Sequence, residues 1–213
     1  MLAATFSIVA RDPETGDLGI AVESRFFAVG AVVPWLAAGV GAIASQAWAN
    51  TDYGHQGLAL LREGYTPVEA LERLTRCDRE AEKRQVGIVD ACGEVANYTG
   101  SECLEYAGAA RGNQYTVQGN LLAGPKVLAA MASAYEARSD RQLAERLVAA
   151  LEAGQQAGGD RRGQQAAALL VVREGLGAAG CNDRLVNLRV DDHEQPIDEL
   201  RRLVEVHREL HGW

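Results

Sequence analysis

A threonine close to the amino terminus is the residue with the clearest chemical potential. The segments ATFSIVARD, DPETGD and LGIAVES predict a β-hairpin, with Thr5 at the start of its first strand. A threonine hydroxyl is a nucleophile, and a free α-amine on the same residue is a general base, because its pKa of ~7.7–8.0 lies near neutral pH. The other interpretation is a β-branched residue that only begins a strand. The residues alone leave both interpretations open.

The amine of Thr5 is not free in this sequence, because Met1-Leu2-Ala3-Ala4 precedes it. Removal of the initiator methionine does not reach Thr5. Three explanations stay open: a start codon assigned too early, an uncut self-cleaving bond between Ala4 and Thr5, or an activity that does not use this amine.

The rest of the chain reads as alternating groups of strands and helices. Extended, buried chain is predicted for FFAVGAVVPWL and VGAIASQAWAN. Helices are predicted for YGHQGLALLREG and for the segment that begins with a capping box of Thr66 and Glu69. Further helices are predicted for PKVLAAMASAYEA, RQLAERLVAALEAG and IDELRRLVEVHRELHGW. Further strands are predicted in RQVGIVDACGEVANYTG, YTVQGNLLAG, AAALLVVREG and LVNLRVDDH. This order favours an α+β fold with antiparallel sheets covered by helices over a doubly wound fold.

Composition restricts the class of protein and of partner. The 213 residues are 47% hydrophobic and 23% charged, which is typical of a soluble globular protein. We expect one domain over residues 1–213, with residues 1–4 as an extension ahead of Thr5. A net charge of -8 argues against nucleic acid or an anionic membrane as partner. The chain lacks a transmembrane run, a basic leader and a CxxC pair, which predicts a cytoplasmic protein with reduced thiols.

The opening TFSIVARDPETGDLGIAVESR resembles the start of N-terminal-nucleophile (Ntn) hydrolases such as proteasome β subunits. Those proteins begin with a threonine on the first strand and end the second strand in an acidic-Ser-Arg triplet, where Glu23-Ser24-Arg25 stands here. More closely, the chain resembles an Ntn-hydrolase-like family, domain of unknown function 1028. The similar segments cover almost the whole length and include SIVARDPETGDLGIAVESRFFAVGAVVPW, RQVGIVDACG, YTVQGNLLAGP and GGDRRGQQAAALLVV.

The resemblance implies a four-layer αββα sandwich of the Ntn-hydrolase type. It also implies a hydrolase of carbon–nitrogen bonds that cleaves a small-molecule amide through Thr5, needs no metal or organic cofactor, and assembles as a homo-oligomer. One alternative is a non-catalytic binding or assembly module on the same scaffold, with Thr5 blocked by residues 1–4. Another is a hydrolase that uses Ser7, Ser45 or a cysteine instead.

Acidic and basic residues near the predicted nucleophile are candidates for supporting roles. Glu23 and Arg25 share one face of the second strand, so Arg25 either orients a substrate carboxylate or forms an ion pair with Glu23. The resemblance implies that Asp160 supports the amine of Thr5. Arg161 and Arg162 beside it are predicted to lie in a solvated loop.

The catalytic lysine of the proteasome has no counterpart here, because the first lysine is Lys83. A neutral oxyanion hole is then required, and amide side chains or a glycine N–H suit that task. The candidates stand in the motifs SQAWAN and VQGN: Ser45, Gln46, Asn50, Gln118, Gly119 and Asn120. Turn formation is the alternative interpretation of both motifs.

Histidine and acidic residues near the carboxyl end do not form a metal-binding pattern. Asp191, Asp192 and His193 are adjacent in an extended segment, so their side chains point in alternating directions. His207 and His211 lack the intervening glutamate of zinc proteases. No metal site is therefore predicted.

Overall fold

The structure is a computed structural model that describes residues 2–3 and 5–212. Its strands are β1 (Leu2–Ala3), β2 (Thr5–Arg11), β3 (Leu18–Ser24), β4 (Pro34–Ala37), β5 (Gly41–Trp48), β6 (Arg84–Asp90), β7 (Val95–Thr99), β8 (Gly108–Gly112), β9 (Tyr115–Gly119), β10 (Ala166–Val172) and β11 (Arg184–Val190). Its helices are α1 (Asp52–Arg62), α2 (Pro67–Cys77), α3 (Lys126–Glu136), α4 (Leu143–Gln156) and α5 (Pro196–His211). Over this described part of the chain, no helix has the length and apolar character needed to span a bilayer.

The strands form two antiparallel sheets. The five-stranded sheet has the order β1-β5-β6-β7, and β4 also pairs with β5. The six-stranded sheet has the order β11-β10-β3-β2-β9-β8. β2 therefore lies inside its sheet, between β3 and β9, so both of its edges are hydrogen-bonded.

Three apolar layers hold the sheets and helices together. Helices α1 and α2 cover the outer face of the five-stranded sheet around Ile43, Leu74 and Ile88. Helices α3, α4 and α5 cover the outer face of the six-stranded sheet around Phe6, Met131, Leu147 and Leu200. The inner faces of the two sheets meet through Val9, Ile20, Val22, Val33 and Val89. The predicted four-layer αββα sandwich is confirmed.

Strand alternation decides which way Thr5 faces. Phe6 packs against the helices and Val9 against the other sheet. Because successive side chains of a strand point to opposite faces, Thr5 faces the other sheet as Val9 does.

The hairpin turn is closed by Asp12, whose Oδ1 accepts a hydrogen bond from the N–H of Glu14 at 2.9 Å.

The predicted order of strands and helices is confirmed, and so is the capping box of α2. Thr66 Oγ1 accepts a bond from the N–H of Glu69, and the Glu69 carboxylate accepts one from the N–H of Thr66. Extended chain throughout FFAVGAVVPWL is wrong, since Ala28 is left-handed (φ 55°) and a 3-10 turn, Val29–Ala31, follows it. Strands β1 and β8 were not predicted from the sequence.

Strand β1 connects the amino-terminal residues to the sheet that does not contain Thr5. Leu2 is opposite Trp48 and Ala3 is opposite Ala47, on the five-stranded sheet. Thr5 then begins β2 in the six-stranded sheet. Leu2–Ala3 thus occupies part of an edge of β5.

Candidate functional site

Three hydroxyl and amide residues form a row across the six-stranded sheet at the start of β2. Thr5 is opposite Ser24 of β3, and its carbonyl oxygen accepts a 3.0 Å bond from the N–H of Asn120 after β9. All three side chains are buried. Because opposed residues in antiparallel strands project to the same face, the row Ser24–Thr5–Asn120 faces the five-stranded sheet. The fold thus brings two of the residues predicted to be catalytic, Thr5 and Asn120, next to each other.

A buried hydrogen-bond network connects this row to the other sheet. Ser7 Oγ donates to Gln46 Oε1 at 2.6 Å and accepts from Gln118 Nε2 at 2.7 Å. Gln46 Nε2 donates to Gln85 Oε1 at 2.9 Å, and Asn120 Nδ2 donates to the same oxygen at 3.0 Å. We call these five residues, Ser7, Gln46, Gln85, Gln118 and Asn120, the amide network. Three of the predicted oxyanion-hole candidates, Gln46, Gln118 and Asn120, belong to it.

Gln85 is the centre of the amide network, and sequence reasoning missed it. Besides accepting two bonds, its Nε2 donates to Thr99 Oγ1 at 3.0 Å and to the carbonyl oxygens of Gly108 and Gly119 at 3.0 and 2.9 Å. The signal in the sequence is a glutamine inside the otherwise apolar strand segment QVGIV. Gly87, two residues on, makes room for the network, since a Cβ there would lie 2.3 Å from Gln118 Oε1.

Asn120 keeps one unused acceptor in this buried region. Its Nδ2 is engaged by Gln85, whereas its Oδ1 is buried without a hydrogen-bond partner. An exchanged amide orientation would place oxygen against oxygen at Gln85, so the observed orientation is the favourable one. Asn120 therefore presents an acceptor, rather than a free donor, next to Thr5.

Ser45, Asn50 and Gly119 serve local structure. Ser45 Oγ donates to the carbonyl oxygen of Asn50 at 2.9 Å, and Asn50 Nδ2 donates to Asp78 Oδ2 at 3.4 Å. Gly119 is paired with Phe6 inside the sheet. None of these three residues makes a described hydrogen bond to the side chain of Thr5.

An ion pair that the sequence did not indicate fixes the loop from β5 to α1. Arg84 Nε donates to Asp78 Oδ2 at 2.8 Å, and Arg84 Nη1 donates to the carbonyl oxygen of Trp48 at 2.7 Å. The bond from Arg84 holds the pKa of the Asp78 carboxyl well below its usual range. Trp48 itself is 40% exposed beside β1, whereas Tyr53 packs in the core.

The side chain of Glu23 lies on the other face of the sheet from Thr5. Glu23 is opposite Phe6 and Ala167, which both pack against the helices. Of the two faces of β3 considered from the sequence, the one beside Thr5 is that of Ser24. The sheet itself therefore separates Glu23 from the row that contains Thr5.

Asp160 connects the end of β3 to the loop after α4. Its Oδ2 accepts a bond from the N–H of Arg25 at 3.3 Å, and its Oδ1 accepts from Nε of Arg162 at 3.0 Å. The guanidinium of Arg25 in turn donates to the carbonyl oxygen of Arg162. Arg162 lies in a loop, as predicted, and there it also forms an ion pair of 2.5 Å with the buried Asp160.

The carboxyl group of Glu23 is buried, and neither of its oxygens has a hydrogen-bond partner. Burial raises its pKa well above the usual value, the negative charge of Asp160 raises it further, and the positive charge of Arg162 opposes the shift. The raised pKa favours a protonated, neutral carboxyl, which is the cheaper form to bury.

Comparison with known proteins identifies the family. A model of the family of unknown function DUF1028 matches residues 5–200. The chain belongs to the DUF1028 family. The DUF1028 protein SPO2555 from Silicibacter pomeroyi is 34% identical, with a TM-score of 0.87 over 96% of this chain and 89% of its own. No curated protein sequence matches the chain.

More distant similarities of this DUF1028 chain involve Anbu proteins. The Gly-1 mutant of Anbu from Hyphomicrobium sp. strain MC1 is 13% identical, with a TM-score of 0.44 over 98% of this chain and 96% of that one. Anbu (ancestral beta-subunit) from Yersinia bercovieri is 12% identical, with a TM-score of 0.43 over 98% of both chains.

The amide network predicts a large effect of Gln85→Leu. The change leaves the amides of Gln46 and Asn120 and the carbonyl of Gly119 without their partner. Because each buried group left unpaired costs about 1–3 kcal/mol, we expect the free energy of unfolding to fall by about 3 kcal/mol or more. Urea unfolding followed by circular dichroism measures it. Gln156→Leu on an exposed position of α4 is the control, and equal losses in the two variants would refute the role of Gln85.

The raised pKa of Glu23 predicts that stability depends on pH. As the pH rises above the ordinary glutamate pKa, the unfolded chain ionises this carboxyl before the folded chain does, so folding becomes less favourable. We expect Glu23→Gln to raise Tm at pH 8 and to have little effect on Tm near pH 4.5. Thermal unfolding from pH 4.5 to 9 tests this, with Glu14→Gln in the exposed turn as control. A Tm difference between Glu23→Gln and the unchanged protein that stays the same at every pH would contradict the role of the Glu23 carboxyl.

Proposed function

We propose that this protein is an Ntn-type amidohydrolase that cleaves a small amide through Thr5, once the residues ahead of Thr5 have been removed. The observation that carries the proposal is the buried row Ser24–Thr5–Asn120, with its unpaired acceptor, in a layer that is apolar further along the strands. Burying an amide oxygen without a partner costs free energy. A freed ammonium group on Thr5 would give Asn120 Oδ1 the donor it lacks.

The reaction follows from the two groups that one residue would then offer. Thr5 Oγ attacks the amide carbon while its proton passes to the α-amine of Thr5. The carbon–nitrogen bond breaks, and the amine product leaves with that proton. Water then attacks the resulting ester, which releases the acid and restores the hydroxyl of Thr5. In this proposal Asn120 Oδ1 orients the α-amine, and Asp160 acts as a positioning residue that holds Arg25 and the neighbouring end of β3.

The residues ahead of Thr5 give a physical reason why the protein would be inactive until they are removed. The Thr5 nitrogen is an amide in the full sequence, so it is not a base. Leu2–Ala3 also occupies the edge of β5 at Ala47 and Trp48. Their removal would free backbone donors and acceptors of β5 for a substrate. The family match begins at Thr5, which is consistent with this boundary.

A second candidate function is a non-catalytic binding or assembly module. The observation that favours it is the amide network. Its side chains form hydrogen bonds with other protein groups, as those of Ser7, Gln46, Gln85 and Gln118 do. Such a network stiffens the sandwich without any chemistry. Assembly into a homo-oligomer stays a prediction, for which Leu210 of α5, 75% exposed, is one candidate contact residue.

Intact-mass measurement distinguishes the two functions. One chain is the full sequence, and the other begins Met-Thr5, so that removal of the methionine exposes Thr5. Both are incubated with a β-lactone. Attack of a nucleophile on its carbonyl carbon opens the ring, so the whole lactone is added to the protein as an ester. We expect one lactone mass on the shortened chain, located at Thr5, and none on the full chain.

The control is Thr5→Val in the shortened chain, which keeps the β-branched shape and removes the hydroxyl. It should take no adduct, and thermal unfolding verifies that it is folded. Absence of an adduct in a folded shortened chain would refute the proposed nucleophile and favour the binding module. An adduct at another residue would refute Thr5 and support the third alternative.

A further inference from the structure

A second region with unsatisfied polar groups lies at the far end of β2. A cavity of about 710 Å³ opens there between the β2–β3 turn and the connection from α3 to α4, and Arg11, Tyr135 and Arg146 are among its lining residues. Thr5 and Arg11 are the two ends of β2. A strand rises about 3.3 Å per residue, so the cavity lies ~20 Å from the row that contains Thr5. The proposed amidohydrolase chemistry does not use it.

Arg146 of α4 is buried beside this cavity, and its hydrogen bonds are incomplete. It is 9% exposed, and its Nε is buried without a hydrogen-bond partner. Its nearest described carboxylate is that of Asp12, at 3.9 Å from Nη1, which is beyond hydrogen-bond distance. Its guanidinium carbon lies 4.1 Å from the centre of the Tyr135 ring. Tyr135 holds the guanidinium through its ring and a side-chain hydrogen bond, but Nε of Arg146 stays unpaired.

Arg11 presents a second incompletely bonded guanidinium to the same cavity. Its Nη1 donates to Gln114 Oε1 at 2.7 Å, whereas its Nε is buried without a partner. A guanidinium carries five N–H donors, and buried donors in folded proteins are nearly always bonded. Two such groups on one cavity therefore indicate a missing acceptor.

The carboxylates around the cavity are largely engaged elsewhere. Glu136 accepts the hydroxyl of Tyr115 at 2.6 Å, and Glu145 pairs with Arg208 at 3.3 Å. Asp12 accepts backbone N–H groups of its own turn. The lining carries four arginines and five acidic residues, so the cavity is not basic as a whole. Donors that lack acceptors, rather than net charge, decide which ligand fits, and the negative lining disfavours a polyanion.

The amino terminus of α4 adds further donors. Its N-cap residue Gln142 makes no side-chain capping bond, and both Gln142 and Arg146 line the cavity. The first N–H groups of a helix have no partner within the helix and favour negative charge. Together with the buried, unpartnered Nε of Arg146, this end of α4 favours a single oxyanion.

We propose that this cavity binds the carboxylate of a small organic acid, held between the guanidinium groups of Arg11 and Arg146. Its volume falls in the range of small-molecule sites, ~300–1,000 Å³. A carboxylate has two oxygens that match the planar fork of a guanidinium, whereas a lysine ammonium offers only a point charge. The site is independent of Thr5.

Isothermal titration calorimetry on the full chain tests the site with N-acetyl-L-alanine, its amide derivative and inorganic phosphate as probes. We expect N-acetyl-L-alanine to bind with millimolar affinity and the amide derivative, which lacks the carboxylate, not to bind. Equal binding of the acid and its amide, or binding of phosphate alone, would overturn the assignment. Failure of the acid to bind at 50 mM overturns it as well.

Matched variants locate the binding. Arg146→Lys and Arg11→Lys keep the charge and lose the planar fork, and each should weaken N-acetyl-L-alanine about tenfold. Arg202→Gln, on an exposed ion pair of α5, is the control and should leave affinity unchanged. Thermal unfolding of each variant verifies that it is folded. Because Arg11 is only half-buried, Arg11→Lys provides a test that does not depend on the stability of Arg146→Lys. Unchanged affinity in a folded Arg11→Lys would place the carboxylate elsewhere.

Discussion

The amide of Gln85 is the interaction on which the arrangement of this protein depends. It accepts from both Gln46 and Asn120 and donates to three oxygens, so one side chain connects the five-stranded sheet with the end of β9 in the six-stranded sheet. Buried amides stabilise only when all their groups are paired, because an unpaired one pays the full cost of leaving water. The bonds of Gln85 to both sheets therefore form in one relative position of the two sheets.

The layer between the sheets consequently has two different ends. Valine and isoleucine side chains fill it beside the β2–β3 turn, whereas hydroxyl and amide groups fill it where β2 begins. The apolar end tolerates changes of contact, since dispersion and burial have no direction. The polar end does not, and it contains Thr5, Ser24 and Asn120. Among the described residues, Asn120 Oδ1 is the one acceptor of the amide network that is buried and unpaired.

The six-stranded sheet also separates chemical groups that are close in sequence. Glu23 and Ser24 are neighbours in the sequence, yet the carboxyl of Glu23 is buried toward the helices and the side chain of Ser24 lies in the row with Thr5. β2 likewise joins two distinct regions: the row with the candidate nucleophile at one end, and the cavity with Arg11 at the other. A strand that is hydrogen-bonded on both edges holds these two regions at a fixed separation.

By itself the sequence determined the local structure: the β2–β3 hairpin, the capping box at Thr66, the order of strands and helices, and from these the layered α+β fold. These features depend on side-chain periodicity and on bonds between residues three or four apart, which a sequence displays directly. It also singled out Thr5, Gln46, Gln118 and Asn120. Only the tertiary structure decided that Gln85 bonds both Gln46 and Asn120, that Glu23 faces away from Thr5, that Arg162 pairs with Asp160, and that Leu2–Ala3 joins the opposite sheet. Those outcomes depend on strand register and on contacts between residues far apart in the chain, because a shift of one residue in register would turn every side chain to the other face.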